Sequence, residues 1–236
     1  MNKIGFIDSG IGGLTVLKSV LRVFPNNSYI YYADNLNNPY GNKTKEELLS
    51  ITTKIVDYLI NKGCNIIVIA CGTISSNLYD ELSTKYKNIT FIKTLPKLDK
   101  YIKDNKKILF MATERTCKSN YIKSLENNNL IVLPSIKLAS LIEEGNRKKI
   151  NNYLKEILSP YKNDKFDIVM LGCTHYPLVK DIILKYINTK DVSDASGEVI
   201  LELNKIIDNK EKQEIIIYNS KEDKDYNKRC FNIIKE

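Results

Sequence analysis

The chain reads as an α/β protein of two lobes, each a mostly parallel sheet flanked by helices. Three observations predict this. Short apolar runs alternate with stretches of helical spacing along nearly the whole chain, the pattern of βαβ units. The alternation restarts after Pro96, with no Gly/Ser linker separating the halves. A length of 236 residues suits one large domain or two small ones. The expected division is a first lobe of residues 1–94 plus 208–236 and a second of residues 95–207.

The elements follow in order. "KIGFID" is a short strand stopped by "SGIGG", and "LTVLKSVLRVF" has helical spacing as far as Pro25. "SYIYYAD" is a second strand, ended by the loop "NLNNPYGN". "TKEELLSITTKIVDYLINKG" is an amphipathic helix, with Thr44 as its N-cap and Gly63 as its stop. "CNIIVIAC" is apolar on both faces, as a central parallel strand requires. "TISSNLYDELSTKY" returns to helix and "NITFIKT" to strand. In the second half "KKILFMAT" is a strand, "TCKSNYIKSLENNN" a helix and "LIVLPS" a strand. "IKLASLIEEG" and "RKKINNYLKEILSPY" are helical, and "FDIVMLGC" is a strand. "YPLVKDIILKYI" is a helix with Pro177 near its first turn. "KDVSDAS" is strand then turn, followed by the helix "GEVILELNKIID". The strand "QEIIIYNS" and the helix "KDYNKRCFNIIKE" close the chain.

Composition narrows the function. Hydrophobic residues make up 43%, enough for a core, and no apolar run approaches the ~18 residues of a membrane helix. The N-terminal apolar run stops at Asp8 and lacks a signal peptide's length and cleavage site. A cytoplasmic protein without a membrane partner is expected. The net charge of +8 comes from scattered lysines rather than a basic run, so no nucleic acid is expected; the surface attracts small anions at long range. The five cysteines form no C-x-x-C pair and no even disulfide framework, which points to reduced thiols and to no zinc ribbon.

Two segments echo each other. "CNIIVIACGT" and "FDIVMLGCT" are doubly apolar strands that both end in a small residue and a cysteine, at Cys71 and Cys173. A weaker echo pairs "FIDSG" with "VSDAS". Ligands of open parallel sheets sit beyond the C-terminal strand ends. A cysteine there, at the start of a helix, feels the helix dipole, which lowers a thiol pKa from about 8.5. One such cysteine is as well explained as a small buried residue finishing a strand. Two at matching positions, with the chain's single histidine, His175, beside one of them, point to chemistry. A histidine there can take the thiol proton or act as an acid toward substrate. Two facing thiols suit inversion of a stereocentre: one removes a proton from one face of a carbon, and the other delivers a proton to the opposite face. That reaction needs no metal and no organic cofactor.

"DSGIGGLTV" follows a strand and opens a helix, but it lacks the glycine at Thr15 that the dinucleotide fingerprint requires. Its glycines expose backbone N–H groups that suit a carboxylate as well as a phosphate. Asp8 is either a structural cap or an acid/base partner for a thiol. "NPYG", at residues 38–41, reads as a turn.

"FIDSGIGGLTVL", "NPYG", "VIACGTISSN", "ATERTCKSNY", "LIEEG", "LGCTHYPL" and "SDAS" stand in the order and approximate spacing of glutamate racemases, and the resemblance covers essentially the whole chain. It implies two α/β lobes with the active site in the cleft between them, no cofactor, interconversion of L- and D-glutamate to supply peptidoglycan, and a homodimer. Cys71 and Cys173 match the family's two proton-transferring cysteines. Asp8 matches the acid assisting the first thiol, and His175 and Glu143 match the groups assisting the second. The resemblance also places Asp8, Ser9, Pro39, Tyr40 and Gly41 at the substrate site. Gly72, Thr73, Thr113, Thr116, Thr174 and His175 complete that set.

The chain departs from the family at two places. Where the family usually reads Cys-Asn-Thr, it reads Cys71-Gly72-Thr73, and the loop before "PYG" has "NLNN" in place of a usual arginine. Losing a side-chain hydrogen bond to a charged group costs about 1.5–3 kcal/mol. Gly72 therefore keeps two alternatives open: a racemase for another acidic amino acid such as aspartate, or a catalytically impaired racemase-like binding or regulatory protein.

Overall fold

The computed structural model describes residues 3–125, 127–207 and 214–235. Two twisted parallel sheets carry the chain. The first is built from β1 (Lys3–Asp8), β2 (Ser28–Ala33), β3 (Cys64–Ile69), β4 (Thr90–Lys93) and the late strand Glu214–Asn219, in the order late strand–β2–β1–β3–β4. The second contains β5 (Ile108–Ala112), β6 (Leu130–Pro134), Ile168–Leu171 and Val192–Asp194. A two-residue strand, Lys165–Phe166, precedes Ile168–Leu171 and pairs with Asn188–Thr189 in a separate ribbon. In chain order these are β7 (Lys165–Phe166), β8 (Ile168–Leu171), β9 (Asn188–Thr189), β10 (Val192–Asp194) and β11 (Glu214–Asn219). The second sheet runs β10–β8–β5–β6. All strand pairs among the described residues are parallel.

The helices cover both faces of each sheet, which is why the central strands are apolar on both sides. In the first lobe α1 (Leu14–Val23) buries Leu14, Val16, Leu17 and Val20 on one side. On the other side α2 (Lys45–Asn61) buries Leu48, Ile55, Val56 and Leu59. Thr44 closes a full capping box with Glu47, and Gly63 turns the chain back at φ +89. Then come α3 (Gly72–Asn77) and α4 (Tyr79–Lys85), whereas α5 (Asp99–Lys103) packs on β5 and β8 of the second sheet. The second lobe holds α6 (Glu114–Cys117), α7 (Asn120–Lys123), α8 (Leu138–Glu144), α9 (Arg147–Leu158), α10 (Lys180–Ile183) and α11 (Ser196–Leu203). The closing helix, α12 (Lys224–Lys235), packs on α1.

Three expected helices differ in form. The helix after Cys71 breaks at Leu78 into α3 and α4. The Asn77 and Ser76 side chains both bond the Thr73 carbonyl, in competition with the main chain. The helix after Thr113 breaks into α6 and α7, because Ser119 caps the second piece. The segment after His175 starts as a 3-10 turn, Tyr176–Val179, before α10. Asp208 and Glu236, the expected ends of two helices, lie outside the described residues. So do Met1, Asn2, Glu126 and residues 209–213, and with residue 208 the expected start of the return to the first lobe. Among the described residues no helix is long and apolar enough to cross a membrane.

Candidate active site

Strand order decides where a ligand can sit. From β1 the first sheet grows to β2 on one side and to β3 on the other, so the loops after β1 and β3 diverge and leave a crevice. In the second sheet β5 has β6 on one side and β8 on the other, and the same crevice forms there. The two crevices meet in one narrow cavity, with about 20 Å³ of free space in this structure and partly open to solvent.

Its wall comes from the ends of those four strands: Ser9 after β1, Cys71 to Thr73 after β3, Thr113 and Glu114 after β5, and Gly172 to His175 after β8. The Asn38–Asn42 segment closes one side. "NPYG" is more than a surface turn. Tyr40 is buried, and its hydroxyl donates to Asp34 Oδ2 at 2.5 Å. Of the residues expected at the site, eleven line this cavity: Ser9, Pro39, Tyr40, Gly41, Cys71, Gly72, Thr73, Thr113, Cys173, Thr174 and His175. Asp8, Thr116 and Glu143 stand behind the wall and act on it through hydrogen bonds.

Residues missing from the sequence reading are Asn38, Asn42, Glu114, Ile136, Ala139 and Gly172. The asparagines flank "PYG" and Glu114 adjoins Thr113, so proximity to a motif was their only signal. Ile136 and Ala139 offered none, because apolar residues at a helix start read as core.

Each thiol has its own polar surroundings. Cys71 sits at the N-cap of α3 without a side-chain capping hydrogen bond, and the nearby Thr73 and Ile74 N–H groups favour its thiolate. Burial first, then the Asp8 charge and Cys173, outweigh them, and the Cys71 thiol is pushed well above its ordinary range. This corrects the expectation of a dipole-lowered thiol: a six-residue helix does not offset burial beside a carboxylate. Asp8 is fully buried at the end of β1. Burial pushes it up to about 6, although His175, the Gly10 N–H and the Thr174 hydroxyl pull the other way. Gly10 N donates to Asp8 Oδ1 at 2.9 Å and Thr174 Oγ1 to Oδ2 at 3.0 Å.

On the other side, Cys173 Sγ is 3.8 Å from His175 Nδ1, and His175 Nε2 is 2.6 Å from Glu143 Oε1. Burial opposes a charge on His175, yet its contacts with Cys173 and Glu143 hold it well above the usual imidazole range. Burial would likewise raise Glu143, but His175, the Ile11 N–H and Arg229 bring it below the usual carboxylate range. The result is a line of three groups, thiol, imidazole and carboxylate, able to carry a proton to or from Cys173.

The glycine loop serves this line. Two of its N–H groups are taken by the chain's own carboxylates: Gly10 N by Asp8 and Ile11 N by Glu143 Oε1, at 2.9 Å each. A Cβ on Gly10 would stand 1.8 Å from Glu143 Oε1, and one on Gly12 would stand 2.3 Å from His175 Nδ1. The loop is therefore glycine-rich because Glu143 and His175 of the other lobe press against it. Further bonds cross the seam, from Thr15 Oγ1 to the Thr174 carbonyl and between the Thr73 and Thr113 hydroxyls, each 3.0 Å. Among the described residues no three His, Cys, Asp or Glu side chains are grouped so as to hold a metal ion.

Known proteins resemble the chain in sequence and fold. No protein-family model matches the chain. A glutamate racemase of Clostridium botulinum (strain Alaska E43 / Type E3) is 43% identical over 203 residues, covering 82% of this chain and 78% of the relative. One from Clostridium perfringens (strain SM101 / Type A) is 39% identical over 237 residues, covering 93% and 91%. The crystal structure of glutamate racemase from Francisella tularensis in complex with D-glutamate superposes with a TM-score of 0.84 at 27% identity, covering 100% of this chain and 94% of that one. With identity of this depth along at least 82% of its residues, the chain belongs to the glutamate racemase family.

Proposed function

We propose that this protein interconverts L- and D-glutamate by two-thiol proton transfer, without a cofactor, and supplies D-glutamate for peptidoglycan. What supports this most is the placement of Cys71 and Cys173 on one cavity, at the ends of corresponding strands, each with its own acid/base helper. One sulfur, as thiolate, takes the α-proton, and the C–H electron pair stays on carbon. The opposite sulfur, as thiol, gives its proton to the other face, and the configuration inverts. One proton has then moved from one sulfur to the other. Asp8 on one side, and His175 with Glu143 on the other, reset the two thiols by proton exchange. We infer a cytoplasmic homodimer on family grounds.

Purified protein should racemise either enantiomer of glutamate with no added cofactor. Cys71→Ala and Cys173→Ala should each lose roughly 10²–10⁴-fold in rate, the size of a lost acid/base group. Chiral chromatography of the product checks this, and racemisation surviving both substitutions would remove the two-thiol mechanism. A second reading, aspartate as substrate, draws on Gly72. Gly72 packs on the Gly172 backbone and leaves that part of the wall without a side chain. Parallel turnover of glutamate and aspartate separates the two. Binding of glutamate without turnover would favour an impaired, ligand-binding role.

A further inference from the structure

The Glu143 side chain meets His175 only if the last turn of α8 is held in place, and α8 has no basic residue of its own there. The positive charge comes from the other end of the chain. Arg229 of α12 donates from Nη1 to the Glu143 carbonyl at 2.6 Å and from Nη2 to the Ile142 carbonyl at 3.2 Å. Both carbonyls lie in the last turn at a helix C-terminus, where cations are favoured, and the Ile142 carbonyl also accepts the Gly145 N–H at 3.0 Å. The turn is closed by Gly145 at φ +72, and a Cβ there would stand at ordinary contact distance, 3.7 Å, from Arg229 Nη2. Since α12 packs on α1 of the first lobe, this grip crosses from one lobe to the other.

We propose that Arg229 is a positioning residue: it fixes the end of α8 across the lobe seam, and so sets Glu143 against His175 and governs proton transfer at Cys173. The inference rests on the racemase reading. The groups facing Glu143 are His175 after β8, Asp8 at the end of β1, Tyr31 on β2, and Tyr226, Arg229 and Cys230 on α12. Arg229 and His175 are the cations of this set. Arg229 is not among the residues that line the active-site cavity, and the main chain it grips is that of Ile142 and Glu143, so its route to His175 runs through Glu143.

The chain's single histidine makes this measurable without turnover, because its imidazole signals in an NMR spectrum need no assignment. Arg229→Gln should move the His175 titration midpoint down by about half a pH unit or more, since a displaced Glu143 no longer holds the imidazolium. It should also lower kcat roughly tenfold, with KM changed far less. Arg229→Lys, which keeps the charge but loses the fork, should fall between wild type and Arg229→Gln on both readouts. Near-ultraviolet circular dichroism from the 15 tyrosines confirms folding, and if Arg229→Gln fails to fold, Arg229→Lys carries the same two readouts. An unchanged midpoint in a folded variant overturns the proposal, whether or not kcat falls, and so does a shifted midpoint with unchanged kcat. If the wild-type protein does not turn over glutamate, the racemase reading fails, and the His175 midpoint alone decides the role of Arg229.

Discussion

Asp8 is where the cost of the site is most visible. A carboxylate with no exposure, beside a thiol, keeps a proton far longer than one in water, and it is pushed up to about 6. A raised folded-state value stabilises the fold when the group is protonated. That contribution is complete below the ordinary carboxylate value of 3.8 and is lost as pH rises through 6. Above pH 7 the buried charge therefore costs the fold ~3 kcal/mol. Asp8→Asn keeps the shape and loses the charge. It should be more stable than wild type at pH 8, with a gain that vanishes below pH 4, while racemisation falls. Urea unfolding at the two pH values checks this, and a gain independent of pH contradicts it. The sequence left Asp8 between a cap and an acid/base group. The structure has it accept the Gly10 N–H and also press its charge on Cys71. Burial chose between raised and lowered for Cys71, and burial is a property of the packed molecule that no local motif carries.

At the scale of elements, the apolar strands and the capped helix at Thr44 were legible, because their signals are local and strong. The breaks at Leu78 and before α7 were not. They depend on whether Asn77 and Ser119 turn their side chains onto their own backbone, and both residues also fit a continuous helix. Gly72, at the start of α3, shows a further limit. Read along the chain, it is a missing polar side chain. In the fold it is a contact: a Cβ there would lie 2.5 Å from the Gly172 carbonyl oxygen, which is backbone and cannot yield. Gly172 is itself pinned, since a Cβ on it would fall 2.3 Å from the Phe110 ring. Gly72→Ala should therefore destabilise the protein by about 1–3 kcal/mol, as overpacking does, and lower kcat by spreading the two cysteine strands. Gly72→Asn should do the same rather than raise activity. Denaturation midpoints and steady-state rates test both, and a faster, equally stable Gly72→Asn would show that the missing amide, not the contact, limits the enzyme.

Over the whole molecule, the echo between the two cysteine strands acquires a topological meaning. β3 and β8 each lie across the point where their sheet reverses its direction of growth, and both points open on one cavity. The weaker echo ends in less: β1 and β10 each flank a cysteine strand, but Asp194 accepts the Ser196 N–H as a turn residue, whereas Asp8 is buried beside the thiol. Periodicity along the chain indicated two lobes. It could not show that their crevices coincide, because that depends on contacts such as Ile11 to Glu143, 132 residues apart. The central claim is that two separate groups, one on each face of the α-carbon, move the proton. Racemisation of unlabelled D-glutamate in D₂O, stopped before a tenth has reacted, tests it most directly. Deuterium should appear in the L-glutamate formed and be nearly absent from the D-glutamate that remains. Equal labelling of both pools, or product that retains the original hydrogen, would mean that one base serves both faces and would contradict the two-thiol account.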